Sequence, residues 1–282
     1  MRPLVIPPTI RTALDNGATL VISISGGKDS QAMLNTLTAA HRNFGWSGSL
    51  PAVHANWGRA EWPQTLGHCK TLCVQAGIPL TVVQRTPGGD LVDRWKERME
   101  TLRGTGKPFW SSAAQRYCAS DLKRNPINAF LRQSTHVVSA EGIRAEESPA
   151  RTQKPVWAVR DAITTRTRAA YTWYPLFDWP VADVWDACET SLDDLARRRQ
   201  LFRAGSHHEA LDGWPAHPAY VFGNQRLSCA LCILASKNDL MIGAQHNPDL
   251  YRELVDMENE SGFSFRSNFA LKDPPRGEHA DS

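Results

Sequence analysis

Residues 25–30 read Ser25-Gly26-Gly27-Lys28-Asp29-Ser30, with Thr19-Leu20-Val21-Ile22 leading in and Gln31-Ala32-Met33-Leu34 leading away. Two glycines let backbone N–H groups come close to an anion. A helix starting at this point adds unpaired N–H donors and a partial positive charge. Ser25 and Ser30 add hydroxyl donors, and Asp29 is placed to hold Mg²⁺ against phosphates. The expected chemistry is the cradling of a polyphosphate. The spacing is neither G-x-x-x-x-G-K-[ST] nor G-x-G-x-x-G; a serine-capped strand–helix turn is the plainer alternative.

A second set of reactive residues is sulfur-based. Six cysteines lie at 69, 73, 118, 188, 229 and 232. In a cytosolic chain of this size, Cys229 and Cys232 as C-x-x-C point to metal, cluster or redox chemistry rather than a disulfide framework. Cys69 and Cys73, four apart on one helix face, and Cys188 are expected to pack in the core.

Positioning these groups requires an ordered frame. Short β-branched runs at 19–24, 51–55, 79–84 and 135–140 read as buried parallel strands. Helical spacing links Met33, Leu34 and Leu37; Leu66, Cys69, Leu72 and Cys73; Leu91, Trp95 and Met99; and Leu122, Ile127 and Leu131. Strands alternating with helices predict an α/β fold with a doubly wound, mainly parallel five-stranded sheet. Beyond about residue 175 the pattern turns helical and irregular. The division expected is a nucleotide-binding α/β domain over 1–175 and a smaller helical, cysteine-bearing region over 176–282.

The 282 residues, 41% hydrophobic and 22% charged, have the composition of an ordered soluble protein rather than a disordered one. A net charge of +3 neither requires nor opposes a nucleic-acid partner. No apolar run approaches the roughly 20 residues needed to span a bilayer. Prolines at 3, 7 and 8 interrupt the start where a signal peptide needs a continuous apolar helix. A cytoplasmic location without membrane attachment is expected, with a polar tail from Lys272 onward that frays.

The loop SGGKDS resembles the PP-loop signature of ATP pyrophosphatases, which cleave ATP between the α and β phosphates. Three further stretches resemble elements of the phosphoadenylylsulfate (PAPS) reductase-like branch. They are Arg116-Tyr117-Cys118 with Lys123 and Pro126; Gly142 through Arg151, as G-x-R-x-x-E-S-x-x-R; and Pro175-Leu176 with Trp179, followed by Asp183-Val184-Trp185. In order over residues 19–235, they cover most of the chain. Within the branch it resembles in particular the sulfur-activating subunit of bacterial DNA phosphorothioation systems.

The resemblance implies an adenine nucleotide alpha-hydrolase-like fold that binds ATP and Mg²⁺. It implies a cofactor loop of Ser25, Gly26, Gly27, Lys28, Asp29 and Ser30, and catalytic roles for Asp29, Lys123, Arg144 and Arg151 around the phosphates. Trp57 is expected to stack on adenine and Glu61 to bind the ribose. Cluster-bearing relatives carry a cysteine pair where this chain has Tyr117 and Cys118. Cys118, Cys229 and Cys232 can therefore hold a [4Fe-4S] cluster with one iron lacking a protein thiolate. Zinc, with His217 or His208 as fourth ligand, and a dithiol pair are the alternatives.

Sulfonucleotide reductases use a nucleophilic cysteine in the C-terminal tail, and this sequence has no cysteine after Cys232. The activity expected is AMP-forming adenylation of an acceptor oxygen for replacement by sulfur. DNA is the first acceptor considered and tRNA the second; the sulfur donor is of the cysteine desulfurase kind. A reductase with a displaced cysteine and a non-catalytic iron–sulfur subunit are the other readings. The residues leave open a homodimer or a multi-protein complex. Two cation-rich segments are candidate nucleic-acid contacts: Arg151, Lys154, Arg160, Arg166 and Arg168, interleaved with Trp157, Tyr171, Trp173 and Tyr174; and Arg197 through Arg203. A solvated basic helix face over core aromatics is the plainer reading.

Overall fold

The run Thr19–Ser23 forms strand β1, buried at four of its five positions. Five more strands follow in this computed structural model, which describes residues 2–266 and 269–273: β2 (Ala52–Ala55), β3 (Leu80–Val83), β4 (His136–Glu141), β5 (Trp157–Val159) and β6 (Ala169–Trp173). The tail expected to fray lies outside the described residues from 274 on. The sheet order is β3-β2-β1-β4-β6-β5. All neighbours are parallel except β5, which runs antiparallel to β6 at the edge.

The fold is thus the expected α/β class with a mostly parallel sheet, of six strands rather than five. The four strands read from the sequence are present. β5 is only three residues long, too short to show a period, and β6 follows the polar stretch Thr164–Arg168. Parallel strands need crossovers, and helices supply them. Helix α1 (Pro8–Asp15) precedes β1; α2 (Lys28–Phe44), α3 (Thr65–Ala76) and α4 (Leu91–Thr101) follow β1, β2 and β3. Asp90 and Asp93 form a reciprocal cap that starts α4.

Helices bury both faces of the sheet. On one side Leu20 and Ile22 meet Met33, Leu34 and Leu37 of α2. On the other Val21, Val53 and Val137 meet Ile127 and Leu131 of the helix Asn125–Leu131. Among the described residues every regular element after β6 is helical. Trp179, Val184, Trp185 and Tyr220 from that part join the same core as Leu20 and Met33. Cys69, Cys73 and Cys188 are buried in it, as expected. Among the described residues no helix is long and apolar enough to cross a membrane.

The core also encloses His217, which is fully buried. Its Nδ1 accepts the Ala219 amide at 3.2 Å, so the proton sits on Nε2, 3.2 Å from Thr65 Oγ1. Burial, helped by nearby His68, lowers its pKa from 6.5 to about 3. The unfolded chain therefore binds this proton first as pH falls. Stability is full above pH 6.5 and declines below it, by about 2 kcal/mol at pH 5 from this group. Urea titrations should show the unfolding midpoint dropping between pH 7.5 and 5. A flat midpoint over that range would mean His217 is not held neutral.

Candidate nucleotide and sulfur site

β1 ends at the carboxyl edge of the sheet, beside the point where the strand order reverses, and open α/β sheets bind ligands at such points. The chain leaves it through Ser25 and turns at Gly26, whose φ of +75° lies in the left-handed region. Gly27 then passes close under the C-terminal region. A Cβ there would meet the Tyr220 hydroxyl at 3.3 Å and Leu227 Cβ at 3.4 Å. The Ser30 hydroxyl fastens the turn by donating to the Gly27 carbonyl at 2.8 Å, and the Ser25 amide donates to it at 3.2 Å. The Lys28 amide donates to the Tyr220 hydroxyl at 2.9 Å. Among the described residues the amides of Gly26 and Gly27 have no hydrogen-bond partner, and both glycines are buried under Leu227.

In front of the loop lies a cavity of about 340 Å³. Ser25, Trp57, Glu61, Lys123, Cys118, Cys229 and Cys232 all line it. Residues from four distant stretches, read separately in the sequence, therefore share one space. Trp57 and Glu61 follow β2. Cys118 and Lys123 come from the helical stretch 117–124, and the C-x-x-C from the loop after the helix Ala219–Phe222.

Other candidates stand behind the loop. Asp29 binds Lys28 Nζ at 2.8 Å and Arg144 Nε at 2.5 Å. Burial pushes the Asp29 carboxyl up, but the two cations outweigh it and hold the group below its ordinary value. Asp29 does not line the cavity, and its contacts fit fastening the loop to the segment after β4 rather than the Mg²⁺ ligand read from sequence. Arg144 is buried, also bonded to Glu146 and the Trp179 carbonyl. Arg151 pairs with Glu147, which also accepts Arg226 at 2.9 Å. Neither Arg144 nor Arg151 reaches the cavity wall.

The three cavity cysteines fit a soft-metal or cluster site in donor type. Burial raises the Cys229 and Cys232 thiols, each further opposed by neighbouring thiols. A thiolate there needs a metal's positive charge beside it. Among the described residues no group of three or more His, Cys, Asp or Glu stands close enough to hold a single metal ion. The zinc alternative fails at its histidines: both ring nitrogens of His217 are engaged, and His208 is exposed on the helix His207–Leu211, away from the cavity.

The candidate nucleic-acid segments are mostly structural. Arg160 bonds Glu141, Asn128 and Thr172; Arg168 bonds backbone carbonyls. Arg197 and Arg198 pair with Asp194, and Arg199 bonds two carbonyls. Trp173 is fully buried. Asp194, three and four residues before these arginines, is the sequence signal for this pairing.

Sequence reasoning missed Tyr220, Leu227, Arg116 and His54. Arg116 lines the cavity. His54 is buried, its Nδ1 3.1 Å from the Ile24 carbonyl and its Nε2 3.2 Å from Glu61, so it orients that carboxylate. Arg116 and Tyr220 stand inside stretches whose cysteines and prolines drew attention first. Their roles depend on contacts across up to 192 residues.

The chain has known likenesses. An uncharacterized 37.8 kDa protein in the gpa 5' region of Escherichia phage 186 is 28% identical over 162 residues, 52% of this chain. That stretch spans 41% of the phage protein. The crystal structure of phosphoadenylyl-sulfate (PAPS) reductase from Candida auris, a phosphate complex, aligns at 14% identity and a TM-score of 0.43 over 64% of this chain and 75% of that one. The U34-tRNA thiolase NcsA from Methanococcus maripaludis, with its [4Fe-4S] cluster, aligns at 14% identity and a TM-score of 0.44 over 92% and 72%. Residues 19–192, from β1 to the start of the helix Leu192–Arg203, match the phosphoadenosine phosphosulfate reductase domain, and the chain belongs to that family.

Proposed function

We propose that the protein is an AMP-forming ATP pyrophosphatase that activates a DNA backbone oxygen for replacement by sulfur. The observation that carries this reading is the shared cavity: Ser25, at the mouth of the glycine loop, and Cys118, Cys229 and Cys232 line one space. Phosphate activation and sulfur delivery need that proximity, because the activated intermediate must meet sulfur before water.

Ser25, the member of the loop that lines the cavity, meets the β and γ phosphates, with Mg²⁺ arriving on the triphosphate. Trp57 and Glu61 hold the adenosine end. A non-bridging phosphodiester oxygen attacks the α-phosphorus, and the α–β bridging oxygen leaves with its electron pair as pyrophosphate. Lys123 and Arg116 neutralise the charge that builds there. Hydrosulfide then attacks the phosphodiester phosphorus, and AMP leaves with the oxygen. A [4Fe-4S] cluster held by Cys118, Cys229 and Cys232 supplies, when bound, an iron able to carry sulfide. Asp29, Lys28 and Arg144 keep the loop in shape without touching the reacting atoms.

The test is anaerobic incubation of the protein with ATP, Mg²⁺, sulfide and single-stranded DNA. AMP and pyrophosphate should form, and digested DNA should contain a dinucleotide with sulfur in place of one oxygen. Release of ADP would refute cleavage between α and β phosphates. Sulfur appearing in tRNA bases instead would move the acceptor to RNA, and sulfite formed from PAPS would restore the reductase reading.

A further inference from the structure

The cavity continues beyond the cysteines. A second basin of about 810 Å³ adjoins it, and Ser111, Ser112, Ile233 and Leu234 line both. Arg98, Lys107 and Arg266 line this basin, and no Asp or Glu does. With Arg116 and Lys123 they make five cations along one continuous path.

Among the described residues none of the five has a carboxylate partner, whereas nearby Arg59, Arg85, Arg94 and Arg103 all do. Arg98 is held in place by donating to Gln115 at 3.3 Å and by lying 4.7 Å from the centre of the Tyr117 ring. Its Nε is buried with no partner. In a chain of net charge +3, a run of unneutralised cations along one concave path marks where an anion docks.

We propose that this basin is the acceptor groove and takes a single strand of nucleic acid. The assignment rests on the function proposed above, which places the activated phosphate in the adjoining cavity. Backbone phosphates sit on Arg98, Lys107 and Arg266, and the next phosphodiester passes Ser111 and Ser112 to reach the α-phosphorus of ATP. Apolar wall from Phe263 and Pro108 receives unpaired bases. A duplex keeps its bases stacked inside and gains nothing from that wall. Arg160, Arg168, Arg197, Arg198 and Arg199, which bond other parts of the fold, do not line the groove.

The test is anisotropy of a labelled oligo-dT strand titrated with the full protein at several salt concentrations. Three phosphate contacts give log K against log[salt] a slope of about −2 for a single strand. Lys107→Glu, at an exposed position, should weaken binding at least tenfold, and Arg98→Ala similarly. Arg197→Glu, on the outer helix, should bind like wild type. Equal affinity of wild type and Lys107→Glu would overturn the groove, as would tighter binding of the matching duplex or of an acidic peptide. Pyrophosphate release by the wild-type protein is followed separately. Its absence alongside oligo-dT binding that is lost in Lys107→Glu would overturn the proposed chemistry and leave the groove standing.

Discussion

Lys123→Met should fold like the wild type and release pyrophosphate from ATP at least a hundredfold more slowly. Lys123 lines the cavity and has no carboxylate partner among the described residues. Removing its charge therefore strands no buried acid, and methionine keeps the apolar stem. Stability should change little. In the reaction, negative charge grows on the α-phosphate and the leaving pyrophosphate. A cation brought to that charge on the cavity wall contributes about 100- to 1,000-fold, or roughly 2.7–4 kcal/mol. Because the charge grows in the transition state, kcat should fall more than KM rises. Single-turnover pyrophosphate release, with urea unfolding run beside it, checks both halves. A variant within threefold of wild type would remove Lys123 from the reaction.

The second large effect is on colour. Protein purified without oxygen should carry iron, acid-labile sulfide and a broad visible absorbance. Cys229→Ser and Cys232→Ser should each lower all three to background. Serine keeps the size of the side chain and removes the soft ligand. Cys118→Ser should do the same, although it lies more than a hundred residues away in sequence. Cys188→Ala is the control. Cys188 is buried against α2, its thiol donating to the Lys28 carbonyl at 3.3 Å, with burial raising its pKa to about 12. That variant should lose stability and keep its colour. Colourless wild-type protein with stoichiometric zinc, or coloured Cys229→Ser protein, would refute the cluster.

Parts of this site are written locally in the chain and parts are not. The phosphate loop is local: glycines, serines and a preceding apolar strand fix a turn and a helix start within a dozen residues. The set Cys118, Cys229 and Cys232 is implied by family likeness; the three line one cavity, and among the described residues they do not stand close enough to hold a single metal ion. The family resemblance implies a role for Arg144 around the phosphates. Its partner Asp29 is 115 residues away, and nothing local announces the pair. The arginines at 197 and 198 are the reverse case: Asp194 stands in plain view at helical spacing, and the plainer reading of a basic helix face holds for them. Strands β5 and β6 escaped because an edge hairpin can be short and half polar. The groove of Arg98, Lys107 and Arg266 exists only once the chain has folded back on itself.

The Lys28–Tyr220 hydrogen bond sets an order of events during synthesis. The loop leaves the ribosome before its anchor, and the hydroxyl that receives the Lys28 amide is made 192 residues later. At about 5–20 residues per second, that interval is about 10–40 s. Through it the nascent chain holds a half-built nucleotide grip, so a fragment released early would carry the signature loop without its anchor. The anchor of the loop arrives in the same stretch of translation that delivers Leu227, Cys229 and Cys232.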